Sequence, residues 1–427
     1  LLKSAQMEGR NFHGQLIKLD EPCDADALAT LIRDNKRHYW EEEVEYIQGE
    51  RWITRWQNIT QDAEASGQLT PQQVWRDEGV YILTGGYGKL ALLFANEIAS
   101  YAARPHIYLL DLGTPNDEQR ERIVQITALG ARIKTLAVDI CDRDALGSEV
   151  QHILDEHSVI HGIIHSAGVL NTSAIVDKNH SGIRKVLQPK VTGLVNLDEL
   201  TCTTHLDFIV AFSSLAGAVG TPMQSEYAVA NSFLDKYIEH RRVLSVKGGR
   251  YGKSLSINWP LWKQGGLQIN DDLSEKVLEK SYGMLPLQNA SGLNAFYRCF
   301  SLDLSQVLVI EGQQDKVQSS LLSEKRKPSQ PSQAQTNEAP ANRDEGTLNT
   351  SELRTKTIVL LSEKVTEHLG VLSEDIDISC EFSEFGFDSV TLTNYCTDVG
   401  QALGIEFEPT IIFEYPSIEK LCGYLLQ

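Results

Sequence analysis

From residue 76 to residue 322 the chain alternates short, uninterrupted apolar runs with longer stretches of helical spacing, and few folds accept that pattern. "GVYILTGG" (79–86) is an apolar run that ends in glycines, and "KLALLFANEIASYAA" (89–103) follows with helical spacing. "HIYLLDLG" (106–113), "NDEQRERIVQITALG" (116–130) and "RIKTLAVDI" (132–140) repeat the alternation, and "VIHGIIHSAG" (159–168), "LDFIVAFSS" (206–214) and "GKSLSINW" (252–259) extend it. Strands that are apolar throughout are buried on both faces, which means a parallel sheet covered by helices on either side. The pattern therefore predicts a doubly wound α/β domain over 76–322, with its chemistry at the carboxyl ends of the strands.

Residues 1–75 do not continue the alternation. "DADALATLIRDN" (24–35) has helical spacing, and "EVEYIQGERWITRW" (43–56) alternates around a Gln-Gly pair, the mark of a β-hairpin. These are too few elements for a sheet domain of its own, so the stretch is expected to be the truncated end of a neighbouring subdomain. The opening "LLKSAQMEGR" has neither an initiator Met nor a leader pattern and fits an excised piece of a larger protein. Residues 323–350, which include "EKRKPSQPSQAQTNEAPANRDEGTLNT", have too little apolar side chain to order themselves and are expected to be a flexible linker. Residues 351–427 are expected to form a small all-α bundle, with helices over 351–369, from Asp388-Ser389, and after Pro416.

The 427 residues carry a net charge of −19, and residues 351–427 alone hold 14 Asp/Glu against 4 Lys/Arg. That balance disfavours nucleic acid and anionic membranes as partners, and an acidic module of this kind suits basic patches on other proteins. No apolar run approaches the roughly 20 residues of a membrane span. The seven cysteines (23, 141, 202, 299, 380, 396, 422) form no CxxC pair and lie near no His cluster. Neither a metal site nor a disulfide framework is expected, and a cytoplasmic setting is.

Three motifs carry chemistry. The turn Gly85-Gly86-Tyr87-Gly88 closes the first strand and opens a helix, and Gly86-x-Gly88-x-x-Ala91 matches the dinucleotide fingerprint in its Ala form. Glycines there let a pyrophosphate approach free N–H groups at a helix N-terminus. Asp139-Ile140 and Ser166-Ala167-Gly168 end the third and fourth strands, where small residues leave room for an adenine and ribose; tight strand–helix packing explains them equally well. The third motif is Lys190, Ser214, Tyr227 and Asn231. Tyr227 and Asn231, four apart on one helix, share a face that Ser214 at a strand end can meet. Hydride delivery to a carbonyl leaves an alkoxide that needs a proton. In that set Tyr227 is the proton donor, Ser214 hydrogen-bonds the carbonyl oxygen, Asn231 holds a relay, and the Lys190 ammonium is expected to lower the phenol's pKa. In the acidic module, "EFGFDSVTL" (384–392) places Ser389 at a helix mouth with no local base, where it serves as a cap or as an attachment point.

These residues resemble the short-chain dehydrogenase/reductase superfamily, a Rossmann-like fold, and more narrowly the ketoreductase domain of a bacterial modular polyketide synthase. Lys190, Ser214, Tyr227 and Asn231 match that family's order and spacing, and "SINWPLWKQGGL" (256–267) resembles the strand leading to its substrate lid. "GFDSV" with "FEYPSIEKL" (413–421) is similar to an acyl carrier protein, a four-helix domain. The resemblance implies NADPH as cofactor, 4′-phosphopantetheine on Ser389, and reduction of a β-ketoacyl thioester. It also implies a ketosynthase and other domains of one assembly line as partners, with a separate acyltransferase and a phosphopantetheinyl transferase.

The chain departs from the family in two places. A Gly-Arg-Ser-like turn that grips the 2′-phosphate of NADPH is replaced by Asp111-Leu112-Gly113. That leaves open NADH, a grip elsewhere such as Lys89, weak cofactor binding, or Asp111 acting only as a turn cap. The Leu-Asp-Asp motif tied to D-hydroxyl products reads Leu170-Asn171-Thr172, while Val219 replaces the tryptophan tied to L-hydroxyl products and Gln224 is present. The absent aspartates favour an L-hydroxyl product. A reductase fold that no longer catalyses and serves as a scaffold for the carrier is the competing expectation.

Overall fold

The computed structural model describes residues 1–8, 12–60, 69–266, 279, 283–319, 350–369, 376–382, 385, 387, 389–403, 405 and 411–426. The chain divides into two compact units, Leu1–Pro328 and Ser329–Gln427.

The first unit begins with helix α1 (Leu2–Glu8), strand β1 (Leu16–Leu19), helix α2 (Ala25–Asn35) and the strands β2 (Glu43–Ile47) and β3 (Glu50–Ile53). Asp24 caps α2 by accepting from the Ala27 amide at 2.8 Å. Gln48 and Gly49 both take positive φ, 52° and 81°, which is what a two-residue hairpin turn between β2 and β3 requires. β1 adds to β2 in parallel.

The main sheet is built from β4 (Val80–Thr84), β5 (His106–Asp111), β6 (Arg132–Ala137), β7 (Gly162–His165), β8 (Phe208–Ser214) and β9 (Lys253–Trp259). A two-residue strand, β10 (Met284–Leu285), precedes the seventh member of the sheet, β11 (Gln306–Leu308), and pairs with β12 (Glu311–Gly312). The sheet order is β11-β9-β8-β7-β4-β5-β6, with every pairing parallel. Six of the seven strands follow the apolar runs in the sequence. β11, three residues long, leaves no periodicity to detect.

Helices cover both faces: α3 (Lys89–Tyr101), α4 (Asp117–Thr127), α5 (Arg143–His157), α6 (His180–Leu200), α7 (Leu215–Val219), α8 (Ser225–Val246) and α9 (Asn289–Ser301). β4 shows why a continuous apolar strand is needed. Tyr81 and Leu83 pack into the cluster under α3 and α9, while Val80 and Ile82 pack into the cluster under α5 and α6. All four are at most 2% exposed, and each buried aliphatic side chain of this size is worth about 1.5–3 kcal/mol. The chain runs from β4 outward to β6, then returns to β7 on the other side of β4. The carboxyl ends of β4 and β7 are therefore the topological switch point, where α/β sheets open a crevice.

The second unit contains α10 (Thr350–Leu369), α11 (Ser389–Leu403), α12 (Ile411–Glu414) and α13 (Ile418–Leu425) around a core that includes Leu361, Val365, Tyr395, Val399 and Leu421. Ser417 caps α13 through the Lys420 amide at 3.3 Å. The stretch expected as a linker lies outside the described residues except for Thr350, and so does Asp388. Among the described residues, no helix is long and apolar enough to cross a membrane.

Candidate active site

At the switch point the turn after β4 is held against its neighbours by backbone hydrogen bonds and by the side chains of Asp111 and Gln119 on Tyr87. The Gly86 amide donates to Leu110 O at 2.9 Å, and the Gly88 amide to Gly85 O at 2.8 Å. A Cβ on Gly86 would stand 2.7 Å from Leu109 Cβ, and one on Gly85, at φ +61°, would stand 2.9 Å from Ala167 Cα. Only glycine fits either position. Gly88 is the N-cap of α3 and, among the described residues, no side chain caps that helix, which leaves its first amides open to a ligand. Thr84 ties the turn to β7: its hydroxyl meets His165 Nδ1 at 2.8 Å and accepts from the Ala167 amide at 3.2 Å, while Ser166 Oγ donates to Thr84 O at 2.6 Å. This glycine cradle fits the pyrophosphate of a dinucleotide.

Across the crevice, Ser214 ends β8, and Tyr227 and Asn231 lie one turn apart on α8. The Ser214 and Asn231 side chains are near enough to the Tyr227 phenol to favour its ionised form. Lys190 on α6 is 3% exposed, donates to Phe212 O at 3.0 Å, and places its Nζ 5.8 Å from the centre of the Tyr227 ring. Asn231 is fully buried; its Nδ2 donates to Tyr227 O at 2.8 Å and, among the described residues, its Oδ1 has no hydrogen-bond partner. The four residues that spacing had grouped thus stand together.

Their electrostatics differ from the sequence expectation. Burial raises the Tyr227 phenol above its ordinary pKa, and the influences that oppose it come from Ser214 and Asn231 rather than from Lys190. Lys190 is itself pushed down to about 8 by burial, against the pull of Asp235. The reason is tertiary: the same packing that brings the ammonium close strips water from both groups.

Behind the four lies a buried polar network. Asp235, 2% exposed and one turn beyond Asn231, accepts from Ser256 Oγ at 2.6 Å and from Asn258 Nδ2 at 2.8 Å. Asn258 Nδ2 also reaches Ser213 Oγ at 3.0 Å and Ser214 O at 2.9 Å, and Ser213 Oγ donates to Asn231 O at 3.2 Å. The backbones of Ser214 and Asn231 are therefore fixed from beneath. Nearer the mouth, Glu226 pairs with Lys178 at 2.5 Å, both side chains almost fully buried, and accepts from Asn171 Nδ2 at 2.9 Å.

Comparison with known proteins follows the same division. A KR domain family model matches residues 79–264, and a phosphopantetheine attachment site model matches residues 360–425. A crystal structure of a ketoreductase domain from the bacillaene assembly line is 35% identical, covers 75% of each chain, and superposes with a TM-score of 0.71. This chain belongs to the polyketide synthase ketoreductases. Its C-terminal unit is the acyl carrier part of a ketoreductase–carrier didomain. Polyketide synthases PksN and PksL of Bacillus subtilis (strain 168) are 32% and 31% identical across 100% of this chain, which spans 8% and 9% of their lengths.

In this ketoreductase Asp111 ends β5 beside the glycine turn, and its carboxylate accepts from the Tyr87 amide at 3.1 Å and the Leu112 amide at 2.9 Å. Asp139 is exposed beyond β6 and caps its own turn through the Cys141 amide at 2.8 Å. Ile140 is buried against Gly193, and Gly168 leaves the space that the Lys190 side chain fills. Ser389 opens α11. Asp235, Ser256 and Asn258 escaped the sequence reading. The one available signal was that Asp235 continues the 227–231 face by four residues.

Proposed function

We propose that the ketoreductase reduces a β-ketoacyl thioester, carried as a pantetheine thioester on Ser389, to the β-hydroxyacyl thioester. The observation that carries this reading is the convergence of Ser214, Tyr227, Asn231 and Lys190 at the sheet edge that also holds the glycine cradle. A bound reduced nicotinamide supplies the hydride to the β-carbon. Ser214 holds the carbonyl oxygen and shares it with the Tyr227 hydroxyl. As the C=O π-bond breaks, the phenolic proton passes to that oxygen. Asn231 and Lys190 then steady the phenolate until a proton returns along the polar groups of the site. Carriage on the same chain keeps the thioester at an effective concentration on the order of millimolar. Phosphopantetheine would be installed by a separate transferase, and acyl groups would come from a separate acyltransferase and a ketosynthase of the same assembly line. A cytoplasmic setting suits the free cysteines.

The test is consumption of reduced nicotinamide dependent on an added β-ketoacyl pantetheine thioester. Wild type should consume it and Tyr227→Phe should be slower by about 10²-fold or more. Equal rates would remove Tyr227 from the chemistry. A second reading, a scaffold that docks the carrier without catalysing, is favoured by the acidic Asp111 turn. It requires that neither NADH nor NADPH bind.

A further inference from the structure

We propose that this ketoreductase selects NADH over NADPH, with Asp111 and its neighbour Leu112 as the discriminating residues; the inference rests on the ketoreductase reading. In a doubly wound sheet the residue at the end of the second strand faces the adenosine ribose: an acidic side chain accepts from a free 2′-hydroxyl, and an arginine nearby accommodates a 2′-phosphate. Asp111 occupies that position. It closes β5, the strand beside β4, and its Oδ2 takes the amide of Tyr87 inside the glycine turn at 3.1 Å. Its Oδ1 takes the Leu112 amide at 2.9 Å. Two backbone donors on two segments hold the carboxylate at the turn, so it cannot swing aside for a phosphate without giving up both.

Among the described residues, the Asp111-Leu112-Gly113 turn itself carries no compensating cation. Leu112, 74% exposed, and Gly113 stand where a guanidinium would be needed. The following helix α4 starts with Asp117 and Glu118. Arg120 is turned to Asp117 at 3.5 Å, and Arg122 is spent on Gln125 at 3.0 Å and Asn96 at 3.4 Å. Among the described residues, Lys89, exposed at the first position of α3, is the remaining base on the glycine turn. The cradle thus fits the pyrophosphate common to both cofactors, and the Asp111 turn does not fit the 2′-phosphate. Bringing a phosphate dianion against a held carboxylate without a cation is unfavourable even near a solvent-exposed edge.

Isothermal titration of NADH and of NADPH into the full chain tests this without relying on turnover. Wild type should bind NADH roughly tenfold or more tightly than NADPH, the size of one like-charge contact at a partly exposed site. Leu112→Arg, which leaves both Asp111 hydrogen bonds in place, should tighten NADPH while leaving NADH nearly unchanged. Asp111→Asn should narrow the gap from the other side. The proposal is overturned if wild type binds NADPH as tightly as NADH, if it binds neither, or if Lys89→Ala selectively weakens a strong NADPH complex. If NADH binds more tightly yet no thioester is reduced, the functional reading fails and the cofactor selection stands.

Discussion

The Asp235 carboxylate is the charge that holds Lys190 up against its own desolvation. Burial drives the Lys190 ammonium down to about 8, and Asp235 is the group that opposes it. The other titratable groups facing Lys190 are His165 on β7, which is held neutral and whose pKa Lys190 helps to lower, and Tyr227 on α8, whose phenol burial raises. On the proposed mechanism, which needs the Lys190 ammonium, activity should fall as pH rises through about 8. Asp235→Asn keeps hydrogen-bonding capacity toward Ser256 and Asn258 but removes the charge. It should move the alkaline limb of kcat/KM to lower pH by about one pH unit or more. An unshifted limb with a uniform loss of rate would make Asp235 only a packing residue.

His165 should set the acid limit of the fold. It is fully buried, bonded to Thr84, and pushed down to about 3 by burial and by the Lys190 charge. A folded pKa below the ordinary 6.5 means that the unfolded chain binds the extra proton between those values, so stability is lost as pH falls from about 6.5 toward 3. Each pH unit in that window costs about 1.4 kcal/mol, or about 2 kcal/mol between pH 6.5 and 5. Urea midpoints of wild type and His165→Gln across that range check this. The variant, whatever its absolute stability, should lack that part of the slope.

The Lys178–Glu226 pair ties the segment that carries Asn171 to the start of α8, one residue before Tyr227. Burial pushes the Glu226 carboxyl up, and the hydrogen bonds from Lys178 and Asn171 more than offset it. Lys178→Ala would leave a buried carboxylate without its cation and should cost about 3–5 kcal/mol in urea denaturation. Lys178→Met with Glu226→Gln should recover much of that loss, because the uncompensated charge is gone.

Much of this architecture could be read from the chain because it is local. The β4 run, the glycine turn and the Tyr227–Asn231 face all follow from short-range periodicity, and Gln48-Gly49 makes the expected hairpin turn. What escaped depends on partners far apart in sequence. Asp235 meets Ser256 and Asn258 only because β9 lies beside β8 under α8. The Tyr227 phenol was expected to be lowered by Lys190, but spacing shows which groups meet and not how much water they lose. β11 is too short for a periodic signal and is fixed by its pairing with β9.

The most direct test of the account loads the carrier with a defined β-ketoacyl pantetheine through a phosphopantetheinyl transferase, adds NADH, and follows the intact protein by mass spectrometry. The account predicts that the acyl arm is found on Ser389, that wild type gains the mass of two hydrogens, and that Tyr227→Phe stays at the keto mass. A failure to load Ser389, or a mass gain that is the same in both proteins or absent from both, would contradict it.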